Sequence, residues 1–125
     1  MKDKTNIGVY PVVMRHEIWL ANIPDSGEGH VQHGPRPVLI VSNNLANTYS
    51  PVVTVVPLTT QMNKHHLPTH VFLRDQGLSK NSLALCEQII TLDKIHLIRR
   101  IGYVHKSFDQ YAIRHALAVQ LDIAS

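Results

Sequence analysis

The sequence predicts a mainly antiparallel α+β protein: a barrel or sheet of five to seven strands with a short helix and a C-terminal helix. Short apolar, β-branched runs separated by Gly- and Pro-containing segments recur between Glu17 and Lys106, as in a sheet of short strands. After Ser107 the apolar residues change to the spacing of an amphipathic helix. A chain of 125 residues, 44% of them hydrophobic, can bury one core. We therefore expect a single domain over residues 15–125, preceded by a loosely ordered extension over residues 1–14.

A long loop separates the first two predicted strands. "EIWLANI" (Glu17–Ile23) alternates apolar and polar residues, which predicts a strand that ends at Pro24. Residues 24–35 hold three Gly and two Pro, and a connection of that length in a compact domain is often functional. "PVLIVS" then has the composition of a strand buried on both faces.

Further strands follow in the middle of the chain. "NNLANTYSP" predicts a turn with one helical turn, and "VVTVVPL" (Val52–Leu58) predicts a strand in which Pro57 places the end at an edge or a bulge. "THVFLRD" (Thr69–Asp75) alternates like a strand, and "SLALCEQIITL" is apolar enough for one long or two short strands. "DKIHLIRR" favours a short helix with Asp93 as N-cap, and "IGYVHK" a last short strand.

The C-terminal segment has helical periodicity. Ser107 and Gln110 have the spacing of a capping box at its start. Its apolar residues fall on one face and an adjoining flank: Phe108, Ala112, Ala116 and Val119, with Ile113, Leu117 and Leu121 beside them.

Composition limits the classes of function. The net charge of +3 with nine histidines neutral favours a polyanionic partner. The single cysteine, Cys86, excludes an internal disulfide and lies in a buried-strand context. The N-terminal residues lack the apolar core of a signal peptide, and no apolar run approaches the roughly 20 residues of a membrane span, so we expect a cytoplasmic protein.

One isolated cation is the first candidate for chemistry. Between Glu28 and Lys64 the only permanent charge is Arg36, at the start of an apolar strand and beside the Gly-rich loop. A guanidinium without a carboxylate nearby in sequence is suited to gripping a phosphate through two hydrogen bonds. Thr59 and Thr60 follow the second apolar strand, where a hydroxyl could orient a phosphate or a ribose.

The histidines suggest proton transfer rather than metal binding. His30 and His33 lie in the loop before Arg36, where an imidazole could act as general acid or base. His66 and His70 are four residues apart, but Pro68 between them excludes the helix that would align two ligands. No nucleotide-binding or zinc motif is present, so we expect neither cofactor nor metal.

Six segments in the same order resemble the MazF/PemK family of toxin endoribonucleases over about residues 15–121: "EIWLANI", "GPRPVLIVSN", "SPVVTVVPLTTQ", "LPTHVFL", "NSLALCEQIITLDK" and "IGYVHK". The resemblance implies an SH3-like antiparallel barrel with short helices and a C-terminal helix. It also implies a homodimer that cleaves single-stranded RNA and is blocked by a cognate antitoxin protein.

The resemblance also implies roles for residues. Arg36 and Thr59 match the family's catalytic pair. Val31 occupies the position where many members carry a loop glutamate, so Glu28, His30 or His33 takes the proton transfer, or the pair suffices. Further residues are expected to contact RNA: Gln32, Thr60, Gln61, Lys64, Glu87 and Gln88, with Arg74 or Lys80 also contributing to the groove.

The mechanism that follows needs no metal and no protein nucleophile. The 2′-hydroxyl of RNA attacks the adjacent phosphorus, leaving a 2′,3′-cyclic phosphate and a 5′-hydroxyl, with Arg36 stabilising charge on the phosphoryl oxygens. Two alternatives remain at this stage, a CcdB-like DNA gyrase poison and an RNA-binding barrel without catalysis, because one fold can carry several functions.

Overall fold

The structure is a computed structural model that describes residues 10–27, 29–63 and 67–124. Within these residues the chain forms strands, two α-helices and a short 3₁₀-helix. In chain order they are β1 (Glu17–Ile23), β2 (Gly34–Ile40), α1 (Asn44–Tyr49), β3 (Val52–Thr59), β4 (His70–Leu73), β5 (Ser82–Leu85), β6 (Ile90–Asp93), the 3₁₀-helix (Lys94–His96), β7 (Leu97–Tyr103) and α2 (Ser107–Leu121).

The strands form one antiparallel sheet in the order β4-β5-β3-β2-β1-β7, with β6 pairing the other end of β3. This confirms the predicted mostly antiparallel fold with a C-terminal helix. The sheet is not closed into a barrel, because its end strands β4 and β7 do not pair with each other.

The two ends of the sheet still meet through the turn after β4. The backbone N–H of Tyr103 donates to the carbonyl oxygen of Gln76 at 3.1 Å. Gly77 and Gly102 allow this approach, because a Cβ on Gly77 would lie 2.3 Å from the carbonyl oxygen of Ile101 and one on Gly102 would lie 2.1 Å from that of Gln76. The open sheet is therefore bridged by a glycine contact instead of a strand ladder.

Two hydrophobic clusters fill the two faces of the sheet, as alternation along a strand requires. In the first cluster Leu39 and Val56 pack with Ile113 of α2. In the second cluster Val38 and Val55 pack with Trp19. The central strands therefore bury both faces, as the apolar run in β2 predicted.

Pro57 does not lie at an edge of the sheet, so of the two expected positions, an edge or a bulge, the edge is wrong. β3 is central: it pairs with β2 on one side, and on the other with β6 through residues 52–55 and with β5 at Leu58 and Thr59. Pro57 lies between the part of β3 that pairs with β6 and the part that pairs with β5. At that point the sheet tolerates a residue without an N–H donor.

The segment after β6 is more extended than predicted. Asp93 is the N-cap, since its Oδ1 accepts from the N–H of Ile95 at 3.0 Å, but only Lys94–His96 are helical. Leu97–Tyr103 form β7, which pairs along β1. The "SLALCEQIITL" segment forms two short strands, one of the two expected outcomes.

The predicted capping box at the start of α2 is wrong. The N-cap is Lys106, whose side chain makes no capping bond. The side chain of Gln110 instead donates to the carbonyl oxygen of Val104 at 2.8 Å, and Gln76 Oε1 accepts from the N–H of Lys106 at 3.1 Å. A residue distant in sequence therefore supplies the contact at this helix end.

The predicted apolar face of α2 is only partly buried. Ile113 and Ala116 lie in the core, whereas Phe108 is 79% and Leu121 is 55% exposed. The helix packs on the sheet through its middle turns, and apolar side chains near its two ends stay open to solvent.

Of the expected N-terminal extension, residues 1–9 lie outside the described residues, while Val13 is 2% exposed and packs in the second cluster. Within the described part of the chain, no helix has the length and apolarity needed to cross a membrane.

Candidate functional site

Arg36 and Thr59 lie on neighbouring strands near one end of the sheet. The β2–β3 pairing ends at Val38 and Pro57, two residues from Arg36 and Thr59, so strand alternation places both side chains on the same face as that pair. Residues opposite each other in an antiparallel pair share a face of the sheet. The Thr59 side chain is buried at the strand end, and its hydroxyl oxygen accepts from the N–H of Gln61 at 3.2 Å.

The loop before β2 holds the guanidinium of Arg36. Its Nε donates to the carbonyl oxygen of His33 at 3.0 Å, and its Nη1 donates to Oε1 of Gln32. Both acceptors are neutral, and among the described residues no carboxylate forms an ion pair with Arg36. The cation is therefore fixed in position with its charge uncompensated by the described residues, as an anion site requires.

Gln88 ties this loop to the connection between β5 and β6. Its Oε1 accepts from the N–H of Gln32 at 3.0 Å, and its Nε2 donates to the carbonyl oxygen of His30 at 3.2 Å. A side-chain amide that bonds two loop backbone groups restricts the loop in the manner of a short strand pairing. The position of Arg36 thus depends on Gln88 through Gln32.

A cavity of about 390 Å³ opens in front of Arg36. Loop residues 29–33 form one wall, and Leu67, His70, Glu87 and Gln88 form the other. The cavity therefore brings a cation, a carboxylate and several polar groups to one solvent-accessible space.

The carboxylate of Glu87 has two hydrogen-bond partners: Thr69, which precedes β4, and His70, the first residue of β4. Its Oε1 accepts from the hydroxyl of Thr69 at 3.0 Å, and its Oε2 lies 3.0 Å from Nε2 of His70. The N–H of Leu67 points to Nδ1 of His70 at 3.3 Å, which assigns the imidazole proton to Nε2 and makes it a donor to the carboxylate. The His70 side chain is 3% exposed and that of Glu87 is 23% exposed, so the carboxylate reaches the cavity while its support is buried.

The residues proposed from sequence divide into three groups. His30, Gln32, His33, Glu87 and Gln88 line the cavity with Arg36. Thr59, Thr60 and Gln61 do not line it; Thr59 is buried at the strand end and the other two are exposed on the loop that follows. Glu28 and Lys64 lie outside the described residues.

Sequence reasoning missed the supporting role of Thr69 and His70. The β4–β5 register pairs His70 with Leu85, and the N–H of Cys86 donates to the carbonyl oxygen of Thr69 at 3.1 Å, which brings both side chains to Glu87. The only signal in the sequence was a polar Thr-His pair at the start of an apolar strand. The pairing partner of that strand cannot be obtained from local pattern.

Within the described residues no group of three His, Cys, Asp or Glu side chains is arranged to hold a metal ion. The Cys86 thiol is buried in the first cluster, and burial followed by the charge of Glu87 raises its pKa to about 12. A thiol with so high a pKa is a core group and not a nucleophile.

Several solved structures are similar to this chain. The Mycobacterium tuberculosis toxin MazF-mt6 is 26% identical with a TM-score of 0.73, covering 87% of this chain and 99% of that one. A mycobacterial endoribonuclease in complex with its cognate antitoxin is 28% identical with a TM-score of 0.72, covering 90% and 98%. MazF from Deinococcus radiodurans, at 20% identity and a TM-score of 0.77 over 90% and 99%, shows the shared fold alone.

A family model matches residues 14–121, which include every element from β1 to α2. With the same fold and nearly the same extent as the solved toxins, the chain belongs to the PemK-like, MazF-like toxins of type II toxin–antitoxin systems.

Proposed function

We propose that this toxin is an endoribonuclease that cleaves single-stranded RNA without a metal. The observation that carries the proposal is the cavity that Arg36 shares with Glu87: a guanidinium held by the loop before β2 and a carboxylate held by Thr69 and His70 line the same space. The similar mycobacterial endoribonucleases, at 26% and 28% identity, support the same reaction class.

In the proposed reaction the 2′-oxygen of one nucleotide forms a bond to the adjacent phosphorus, and the bond from phosphorus to the 5′-oxygen of the next nucleotide breaks. Glu87 accepts the proton of the 2′-hydroxyl, since its two described hydrogen bonds leave part of the capacity of the carboxylate free. The products are a 2′,3′-cyclic phosphate and a 5′-hydroxyl end.

Arg36 stabilises the negative charge that builds on the non-bridging phosphoryl oxygens. Thr59 is buried at the end of β3 outside the cavity, and its hydroxyl accepts from the N–H of Gln61, so we assign it a positioning role without direct contact to the phosphate. His33, which lines the cavity three residues before Arg36, donates the proton to the departing 5′-oxygen. With Val31 in the loop, Glu87 supplies the carboxylate from the opposite wall of the cavity.

The protein partners of the toxin are inferred from similar solved structures and from the family resemblance. The solved complex of a 28% identical endoribonuclease with its cognate antitoxin supports an antitoxin that binds and inhibits this chain. We also propose a homodimer in the cytoplasm, as the family resemblance implies. Sedimentation of the purified toxin, alone and with the antitoxin, tests both assemblies.

The test is incubation of the parent with a long single-stranded RNA in EDTA, with mapping of new 5′ ends and of the chemistry of both ends. We expect discrete cuts with cyclic phosphate and 5′-hydroxyl ends, and none in DNA of the same sequence, which lacks the attacking hydroxyl. Arg36→Ala should lower the rate by about 100-fold or more, as loss of a charge-stabilising donor does elsewhere. Arg99→Ala, an exposed arginine outside the cavity, is the matched control.

Glu87→Gln tests whether Glu87, and not a group of the loop before β2, accepts the proton of the 2′-hydroxyl. It preserves size and one acceptor oxygen while removing the base, so we expect a loss of about 100-fold or more in kcat with little change in KM. RNA left intact by the parent, together with inhibition of DNA gyrase, would overturn the proposal.

A further inference from the structure

A second and larger cavity adjoins the candidate site. It has a volume of about 740 Å³ and runs between β4 and α2, with Phe72 and Arg74 on one side and Phe108 and Tyr111 on the other. We call it the β4–α2 groove. Its lining comes from both elements and includes exposed side chains, so it is a surface groove between them and not a packing defect of the core.

The groove neighbours the cavity in front of Arg36 and shares one lining residue with it. His70 lines both, and Pro68 of the groove follows Leu67 of the first cavity in the chain. A chain molecule with one bond placed at Arg36 and Glu87 would therefore pass over His70 into the groove.

Exposed aromatic rings line this path. Phe108 is 79% exposed, Tyr111 is 62% exposed and Phe72 is 49% exposed. The rings of Tyr111 and His115 are nearly parallel, with planes 12° and centroids 6.3 Å apart. Exposed rings beside a positively charged groove serve as stacking platforms for unpaired bases.

The charge along the path is positive. Arg74 and Lys106 line the groove against one carboxylate, Asp109, which already accepts from Nε2 of Gln76 at 2.9 Å. Lys106 lies 3.4 Å from the exposed Asp75, but among the described residues no ion pair involves Arg74.

Positive charge continues past the end of the groove. Tyr111 also lines a neighbouring cavity of about 450 Å³, whose described lining residues include Arg15 and Arg114 and no carboxylate. Burial and the nearby Arg114 lower the pKa of Arg15, as expected where cations lack counter-charges. An apolar peptide would gain nothing from this charge, whereas a polyanion would.

We propose that the β4–α2 groove binds the single-stranded RNA that flanks the cleaved bond, with Phe108 and Tyr111 stacking on bases and Arg74 contacting a phosphate. The inference rests on the proposed endoribonuclease function and extends its substrate site. The toxin would then bind several nucleotides beyond the reacting pair, mainly through base stacking and electrostatic attraction.

The binding test uses a labelled oligodeoxyuridylate of about twenty nucleotides, which the reaction cannot cut and which carries the same bases and phosphates along its length. Phe108→Ala should weaken its binding by about five-fold or more. Arg74→Ala should reduce the dependence of log Kd on log salt by about 0.7, the value for one phosphate contact to a single strand. Tyr49→Ala and Arg99→Ala, exposed residues of matching type that line neither cavity, should bind like the parent.

The kinetic test separates the groove from the reaction. With an RNA of about twenty nucleotides, Phe108→Ala and Arg74→Ala should raise KM and leave kcat unchanged, whereas with an RNA of about six nucleotides that spans only the cut bond neither variant should differ from the parent. A parent that cuts RNA with groove variants whose KM and oligonucleotide binding stay unchanged would overturn the groove and leave the function standing. A parent that cuts no RNA would overturn the function, while the oligonucleotide binding still tests the groove.

Two further results would refute the groove as an RNA site. One is a change of oligomeric state in Phe108→Ala with oligonucleotide binding unchanged, which would make this face an interface between copies of the toxin. The other is a loss of antitoxin binding in Phe108→Ala or Arg74→Ala with oligonucleotide binding unchanged, which would make the groove a binding site for the antitoxin.

Discussion

At the scale of single residues, the chemistry depends on how few partners Arg36 has. Its strand contains no other charge, and its described hydrogen bonds go to neutral oxygens of His33 and Gln32. A carboxylate in either place would form an ion pair and lower the affinity for phosphate. The isolation visible in the sequence thus corresponds to an available charge in the described fold.

Gln88 gives the first prediction at this scale. Gln88→Ala removes both bonds that hold the loop to the β5–β6 connection. Because the amide is partly exposed, the free energy of unfolding should fall by only about 1 kcal/mol. Misplacement of Arg36 should cost about ten-fold or more in kcat, measured on the mapped RNA substrate. Gln120→Ala, an exposed amide on α2, is the control, and equal activity in both variants would contradict the positioning role.

Cys86 gives the second prediction. With its thiol buried and its pKa raised to about 12, the thiolate is scarce at neutral pH. A thiol reagent should therefore modify the native protein only slowly and modify the denatured protein in full, and RNA cleavage should be unaffected by brief treatment. Rapid labelling of the native chain would show that β5 opens.

At the scale of elements, the C-terminus of α1 depends on a distant lysine. The carbonyl oxygen of Asn47 would normally accept from the N–H of residue 51, but that residue is Pro51 and has none. Lys94, a residue that is 4% exposed, donates through its ammonium to this oxygen at 2.6 Å. The 3₁₀-helix thus caps α1 across the sheet.

Lys94→Met tests this cap. Removing the donor leaves a buried carbonyl unsatisfied, so the free energy of unfolding should fall by about 1–3 kcal/mol in urea at neutral pH. Ile95→Met, at a residue 68% exposed beside it, should change little.

The same lysine has a predictable pH dependence. Burial lowers the pKa of Lys94 from 10.5, so the folded chain releases this proton at a lower pH than the unfolded chain. Between the folded-state pKa and 10.5 the unfolded chain therefore binds more protons, and stability rises with pH. The parent should gain stability relative to Lys94→Met on moving from neutral pH towards 10.5, and a constant difference would contradict the assignment.

At the scale of the whole molecule, the ends of the open sheet are joined at two glycines. Gly102→Ala would place a methyl group 2.1 Å from the carbonyl oxygen of Gln76. The backbone must move apart, so we expect a loss of about 1–3 kcal/mol or more, measured by thermal and urea unfolding. Gly29→Ala, where nothing lies within 4 Å, should be nearly neutral. Equal stability of the two variants would show that the sheet ends are not held together in solution.

The joined ends matter for function because they position α2. Gln76, between the two glycine contacts, donates through Nε2 to Asp109 and accepts through Oε1 from the N–H of Lys106. The start of α2 and one wall of the β4–α2 groove are therefore set by the turn after β4. A change at Gly102 should accordingly affect groove binding as well as stability.

The sequence by itself determined the parts of this protein that depend on a few neighbouring residues. The period of two residues identified β1 and β4, the β-branched composition identified β3, and the period of 3.6 residues identified α2. The Asp93 cap was recognisable, and the isolation of Arg36 was visible without a structure. Such signals are local because side-chain direction and capping are decided within one turn or one strand.

Only the tertiary structure decided which distant segments meet. The contacts of Glu87 with Thr69 and His70, the link from Gln88 to Gln32, the incomplete burial of α2 and the open sheet all depend on strand register and on packing across the core. The local pattern of a strand is the same whichever strand it pairs with. The partner is chosen by the burial and hydrogen bonding of the whole chain, so the contacts that hold Glu87 could not be derived from the local pattern, although the family resemblance had singled out the residue itself.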